Sequence, residues 1–310
     1  MDTQNPDNAG PSRRGLLKCM AWAGTGLVWT VSGGIPRGLG LGDALAAPAV
    51  HDFTFVQISD SHIGFNKEAN PDPNATLQAA IDRIDKLPKR PALVLHTGDI
   101  SHLSKAEEFD TAAQLLKGIK QDIHYVPGEH DVIGDDGKQF FERFAPNLKT
   151  GGWYSFDQGG VHFVGLVNVL TFETAKAGGF GAEQLEWLEK DLKGRTASTP
   201  VVVFSHVPMW PIYPQWGWAT EDAPQALSYL KRFGSVTVLN GHIHQVVQKV
   251  EGNVIYQTAF STAFPQPKAG EGPAPGPLKV PPDQLRSVLG IREIDVVPLK
   301  TAVVTDVTLA

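Results

Sequence analysis

The sequence predicts an α/β fold with a largely parallel sheet, and three observations carry that prediction. Short runs rich in β-branched, aromatic or leucine side chains at residues 53–59, 92–96, 123–126, 201–204 and 236–239 have the composition of buried strands. Segments with helical spacing alternate with them, which argues for crossover connections between parallel strands. Each run is followed at once by residue types that bind metals or move protons: Asp60-Ser61-His62, Gly98-Asp99, Gly128-Glu129-His130-Asp131, Ser205-His206 and Gly241-His242-Ile243-His244. The carboxyl ends of strands are where ligands collect in such sheets, so blocks far apart in sequence are expected to meet there.

Residues 1–46 stand apart from the fold. Arg13-Arg14 precedes a moderately apolar, glycine-containing stretch, and Ala44-Leu45-Ala46 offers a small-residue cleavage site. This pattern resembles a twin-arginine export signal. Lys18, Gly24, Gly26, Gly33, Gly34 and Arg37 interrupt the stretch too often for a membrane span of about 20 residues. The expectation is a cleaved leader read by the twin-arginine machinery. It would leave residues 47–310 as one periplasmic or secreted domain with no transmembrane segment.

The first strand is followed by a helix over 74–87, with Leu77, Ile81, Ile84 and Leu87 on one face and Pro88 as its stop. The second strand leads to Ser104-Lys105-Ala106-Glu107, a capping-box pattern opening a helix that ends at Gly118. After the third strand, residues 153–156 and 161–164 flank Asp157-Gln158-Gly159-Gly160 as a hairpin would. A helix over 182–192 presents Leu185, Leu188 and Leu192 before Gly194. A short helix at 224–233 separates the fourth and fifth strands, and the tail beyond Gln245 is mostly strand. Two long loops, 208–222 and 264–283, are of the size that usually carries function. The first holds Trp216 and Trp218, which either stack a substrate ring or fill a minor core.

Composition narrows the chemistry. With 310 residues, 42% of them hydrophobic, the chain can bury a full core. A formal charge of −6 gives no basic footprint, so no stable nucleic-acid partner is expected. The only cysteine, Cys19, lies in the leader, so imidazole and carboxylate are the ligands left for a metal in the mature chain.

The order Asp-x-His, Gly-Asp, Gly-x-His-Asp, His, Gly-His-x-His over residues 53 to about 260 resembles the calcineurin-like metallophosphoesterase family. Gly98-Asp99-Ile100-Ser101 is most similar to its cyclic-nucleotide phosphodiesterase-like branch. The resemblance implies a four-layer αββα sandwich of two mixed sheets flanked by helices, with a binuclear metal site at the strand ends. By motif position, Asp60, His62 and His244 would hold the first metal, and Glu129, His206 and His242 the second. Asp99 would bridge them, and His130 would serve the leaving group or the charge on phosphate. The implied activity is hydrolysis of a small phosphodiester or phosphomonoester by a hydroxide bridging the metals. The alternative is a metal-binding protein on the same fold with weak or altered hydrolysis.

Two positions depart from the family pattern. Glu129 stands where an asparagine is usual. Two divalent ions with Asp60, Asp99 and a hydroxide carry a single positive charge, and an ionised Glu129 would cancel it. That favours iron in its ferric state beside a divalent iron, manganese or zinc. His102 stands where many relatives have an aspartate that orients the catalytic histidine. That leaves Asp131 or a water to orient His130, and His102 to contact substrate with Trp216 and Trp218. The tyrosine expected of purple acid phosphatases is absent from the stretch after Asp99.

Overall fold

The structure, a computed structural model, describes residues 27–32, 35–40, 51–148, 151–297 and 303–310. Strands β1 (Leu27–Ser32) and β2 (Ile35–Gly40) form an antiparallel pair belonging to a separate unit at the N-terminus. Arg13-Arg14 and Ala44-Leu45-Ala46, on which the export reading rests, lie outside the described residues.

The main unit is built on two mixed sheets. Five strands lie in the order β13-β12-β3-β4-β5: β3 (Phe53–Ile58), β4 (Leu93–His96) and β5 (Asp122–Tyr125) run parallel, while β12 (Gly290–Val296) and β13 (Val303–Thr308) close one edge antiparallel. Six strands lie in the order β10-β11-β9-β8-β7-β6. There β7 (Val161–Gly165), β8 (Val201–Phe204), β9 (Val236–Asn240) and β11 (Val254–Thr258) are parallel, and β6 (Tyr154–Gln158) and β10 (Gln248–Glu251) are antiparallel edges.

The period of two along each strand explains the layers. Leu93 and Leu95 of β4 pack between the sheets with Phe55, Phe163, Val202, Phe204 and Leu239. Val94, with Val56 and Ile58, turns the other way onto Leu77, Ile81 and Ile84 of helix α1 (Pro73–Asp85) and Phe109 and Ala112 of α2 (Ala106–Leu116). Phe140 of α3 (Lys138–Phe144) joins that layer, and a single turn, α4 (Phe172–Ala175), follows β7. On the second sheet, Val201, Val203, Val236 and Val238 meet Leu185, Leu188 and Leu192 of α5 (Ala182–Lys193) and Ala226 and Leu230 of α6 (Ala223–Leu230). Both faces of the central strands are therefore covered, which is why they read as unbroken apolar runs. The result is the four-layer α/β sandwich that the resemblance implies. No helix among the described residues is long and apolar enough to cross a membrane.

Local details differ from the sequence expectations where a side chain finds a better partner. The hairpin turn is the two residues Gly159 (φ +58°) and Gly160 (φ +82°), both left-handed as a tight hairpin turn requires, so the strands extend to Gln158 and Val161. Ser104 does not cap α2. It sits at φ +55° and its hydroxyl donates to the carbonyl of His130 at 2.8 Å. The acceptor for the helix entry is Glu108, whose Oε2 receives the amides of His102 (3.2 Å), Leu103 (2.7 Å) and Lys105 (3.4 Å). Helix α1 starts one residue before the expected 74, with Asp72 Oδ1 accepting from the amide of Ala75 at 3.0 Å and Pro73 in the first turn.

Candidate metal centre

All five chemistry-bearing blocks converge beyond the carboxyl ends of β3, β4, β5, β8 and β9. The chain reverses sharply as it leaves these strands, and five of the predicted ligands take left-handed backbone angles: Asp60 (φ 55°), His62 (41°), Asp99 (54°), His242 (70°) and His244 (54°). Such conformations are costly for residues with a Cβ and persist where the surrounding structure enforces them, typically at functional sites. Adjacent glycines allow the close approach. A Cβ on Gly128 would lie 2.1 Å from Asp99 Oδ1, and one on Gly241 would lie 2.1 Å from Ser59 Oγ.

Two groups of ligand atoms result, sharing Asp99. In the first, His62 Nε2 lies 3.2 Å from His244 Nε2, and His244 Nε2 lies 3.4 Å from Asp60 Oδ1. In the second, Glu129 spans two imidazoles, with Oε2 at 2.8 Å from His206 Nε2 and Oε1 at 2.8 Å from His242 Nδ1. Asp99 Oδ2 stands 3.5 Å from His62 Nε2 and 3.4 Å from His206 Nε2, so one oxygen faces both groups. The triads Asp60-His62-His244 and Glu129-His206-His242 each bring one ligand atom per residue within 4.8 Å of the others.

Outer partners set the ring orientations. His206 Nδ1 donates to the carbonyl of Thr97 at 2.7 Å, and His244 Nδ1 to that of Phe264 at 2.5 Å, which turns both Nε2 atoms inward. Phe264 also stacks on His62, with ring centroids 4.7 Å apart, and Gln266 Nε2 donates to the carbonyl of His242 at 3.1 Å. These two contributions from the 264–283 loop were not predicted, since that loop carries no motif. Asp131 does not orient His130. Its carboxylate accepts from the amides of Ile100, Ser101 and Gly128 and from the Ser101 hydroxyl, which ties the Gly98-Asp99 and Gly128-Glu129 turns together. His130 is held by main chain instead, its Nδ1 donating to the carbonyl of His102 at 2.6 Å.

The charges call for cations. Asp60, Asp99 and Glu129 are poorly accessible carboxylates whose ion-pair partners among the described residues are all histidines, with no lysine or arginine. Burial opposes the charge on Glu129, but His242 and His206 outweigh it and hold the carboxyl well below its usual range. His206 is correspondingly driven well above the normal imidazole range by Asp99 and Glu129 against its own burial. Burial, followed by the fields of His130 and His244, pushes His62 well below it, so His62 is a neutral donor. Asp60 Oδ2, Glu129 Oε2, His206 Nε2 and both ring nitrogens of His242 are buried without a hydrogen bond of good geometry among the described residues. Nitrogen and carboxylate donors in this arrangement fit two transition-metal or zinc ions.

The tryptophans divide. Trp218 is only 1% exposed and packs edge-on to Trp216 at 5.2 Å, so it has no face for a substrate; Trp216 is half-buried and meets Tyr213 at 5.1 Å. His102 is half-buried beside His62 and His130.

Comparison with known proteins agrees with this geometry. A family model described as calcineurin-like phosphoesterase matches residues 53–246. A 3',5'-cyclic-nucleotide phosphodiesterase from Nostoc sp. is 24% identical over 217 residues, 68% of this chain and 79% of the relative. A probable glycerophosphodiester phosphodiesterase from Arcobacter nitrofigilis is 27% identical over 222 residues, 66% of this chain and 77% of the relative. Among solved structures, a dimetal phosphatase from Danio rerio superposes with a TM-score of 0.56 at 17% identity, covering 83% of this chain and 98% of that one, which is a likeness of fold.

Proposed function

The chain belongs to the calcineurin-like phosphoesterase family and is a metal-dependent phosphoric ester hydrolase, and from that membership we propose that it is an exported phosphodiesterase working with two metal ions. The observation that carries the two-metal reading is the convergence of three poorly accessible carboxylates, Asp60, Asp99 and Glu129, with four inward-facing histidines and, among the described residues, no lysine or arginine to neutralise them. Asp60, His62 and His244 would hold one ion, Glu129, His206 and His242 the other, and Asp99 both. Bound there, the pair would supply an activated water and neutralise charge on the phosphoryl group.

The remaining work falls to this chain's own residues. With Nδ1 donating to the His102 carbonyl, His130 keeps Nε2 free to hold a proton for the departing oxygen. Burial lowers its affinity for that proton, but Asp99 and Glu129 more than compensate, and His130 rests above the usual imidazole range. Glu129 adds a negative charge that suits a ferric ion paired with divalent iron, manganese or zinc. The two relatives named above are phosphodiesterases by description, which supports a diester as substrate; Trp216, half-exposed in the 208–222 loop, would be the aromatic to contact its leaving group. Residues 1–46 would direct the folded protein through the twin-arginine route to the periplasm or beyond.

The deciding experiment measures hydrolysis of an aryl phosphodiester by protein of determined metal content, beside Asp99→Asn. Saturable turnover that falls by about a thousandfold in the variant is expected, because the shared carboxylate serves both ions. No turnover at full metal occupancy would overturn the reading. Replacing Arg13 and Arg14 by lysine should hold the protein in the cytoplasm if the export proposal is right; unaltered export would sink it.

A further inference from the structure

His102 touches a ligand of the first group, His62, and the histidine beside the centre, His130, at once. Its backbone is locked to the first ligand loop, with its amide donating to the carbonyl of Ile63 at 3.0 Å while Ile63 donates to Ile100 at 2.8 Å. Its carbonyl receives His130 Nδ1. Its ring stacks on His130, centroids 5.0 Å apart and planes 14° from parallel, and is braced edge-on by Phe65 at 5.2 Å. Its Nδ1 lies 3.4 Å from Nδ1 of His62.

That last distance has a chemical consequence for His62. Its Nε2 faces His244 and Asp99, so the ring must carry its proton on Nδ1 to leave Nε2 as a lone pair. The group facing that proton is the His102 imidazole, which accepts through Nδ1 when its own proton sits on Nε2. Phe264 covers one face of His62 and His130 lies edge-on at 4.8 Å, so the ring has little freedom to find another acceptor.

We propose that His102 is a positioning residue that orients two site histidines by different atoms: its side-chain Nδ1 fixes the tautomer of the metal ligand His62, and its carbonyl fixes that of His130. This assigns His102 a role behind the ligands instead of the substrate contact expected from sequence. The inference rests on the reading of His62 as a ligand. It explains why a histidine can stand where a carboxylate is usual: the contact to His130 has passed to the main chain, which any residue supplies, and the side chain is free to serve His62.

The test compares His102→Phe, which keeps the stacked ring and removes the acceptor, with His102→Asn, whose Oδ1 occupies nearly the position of Nδ1. Affinity for zinc is measured by chelator competition, and the tautomer of His62 by ¹⁵N chemical shifts in zinc-loaded and metal-free protein. His102→Phe should weaken the first site by about 10–100-fold, the range for loss of an outer partner, and His102→Asn should recover most of it. The His62 Nδ1–H signature should be retained in wild type and His102→Asn and be lost or averaged in His102→Phe. Equal losses in both variants with a lowered Tm would make His102 a packing residue, and an unchanged affinity and tautomer in His102→Phe would likewise overturn the proposal. Failure of wild-type protein to bind zinc would count against the hydrolase reading, while the metal-free tautomer still decides this one.

Discussion

The carboxylate of Glu129 lies 2.8 Å from Nε2 of His206, on the side of the imidazole that a metal would use. Its other oxygen makes the same approach to His242, so a full negative charge sits inside the second ligand group, where an asparagine would place a neutral amide. A unit charge about 4 Å away is worth roughly 4 kcal/mol at an effective dielectric near 20, and an ion of charge three feels half as much again as one of charge two. Glu129→Asn should therefore reduce affinity for a trivalent ion such as gallium at least about tenfold more than affinity for zinc. Chelator competition with each ion measures this, and parallel losses would show that Glu129 does not select by charge.

Gly128 is fixed by contact, not by backbone angle. A methyl group there would meet Asp99 at Oδ1 (2.1 Å) and at its amide nitrogen (2.4 Å), so the shared carboxylate must be displaced. Gly128→Ala should cost about 1–3 kcal/mol in stability and abolish tight binding of both ions together. Gly194→Ala is the control, because nothing among the described residues lies within 4 Å of its added carbon. Metal content after dialysis, with urea unfolding of both variants, distinguishes loss of one ion from loss of both.

Legibility in the sequence followed the range of the interactions. The five motif blocks were readable because the metal chemistry demands particular residue types immediately after buried strands, and the helical spacing of Leu77, Ile81 and Ile84 exposed α1 in the same local way. What was hidden depended on tertiary partners. Phe264 and Gln266 support His62, His244 and His242 from a loop whose sequence shows no motif, and Asp131 binds three amides that only folding brings together. The 104–107 pattern misplaced the cap because Ser104 is drawn to the His130 carbonyl, leaving Glu108 to receive the turn. Trp218 and Trp216 are chemically alike in the sequence and only packing separates them.

That separation can be tested directly. Trp218 is fully enclosed, with its ring edge-on to Trp216 and its own backbone carbonyl accepting the amide of Ile212 at 3.0 Å, so its packing and its main chain both fix the 208–222 loop. Trp218→Ala should cost about 3–5 kcal/mol, as for other enclosed aromatics, and lower the Tm accordingly. Trp216→Ala should leave the Tm nearly unchanged and raise KM for an aryl diester about fivefold or more if its ring stacks on the leaving group. An unchanged KM would remove Trp216 from the substrate site.

His96 gives the clearest pH dependence, because it is enclosed at the end of β4 without being a ligand. Its Nε2 lies 2.9 Å from Ser61 Oγ, and Nδ1 is buried with no hydrogen-bond partner among the described residues. Burial pushes the imidazole from 6.5 down to about 3, with Asp60 opposing only in part. The folded state thus keeps His96 neutral while the unfolded chain takes up a proton below pH 6.5, so stability is complete above that pH and declines as pH falls toward 3. Relative to His96→Gln, whose amide can still meet Ser61, wild type should lose about 1.4 kcal/mol per pH unit in this window, or about 2 kcal/mol between pH 6.5 and 5. Urea unfolding of both proteins across pH 8 to 5 reads the difference, in which the titration of other groups largely cancels. A difference independent of pH would mean that His96 is protonated in the fold or free to leave its site.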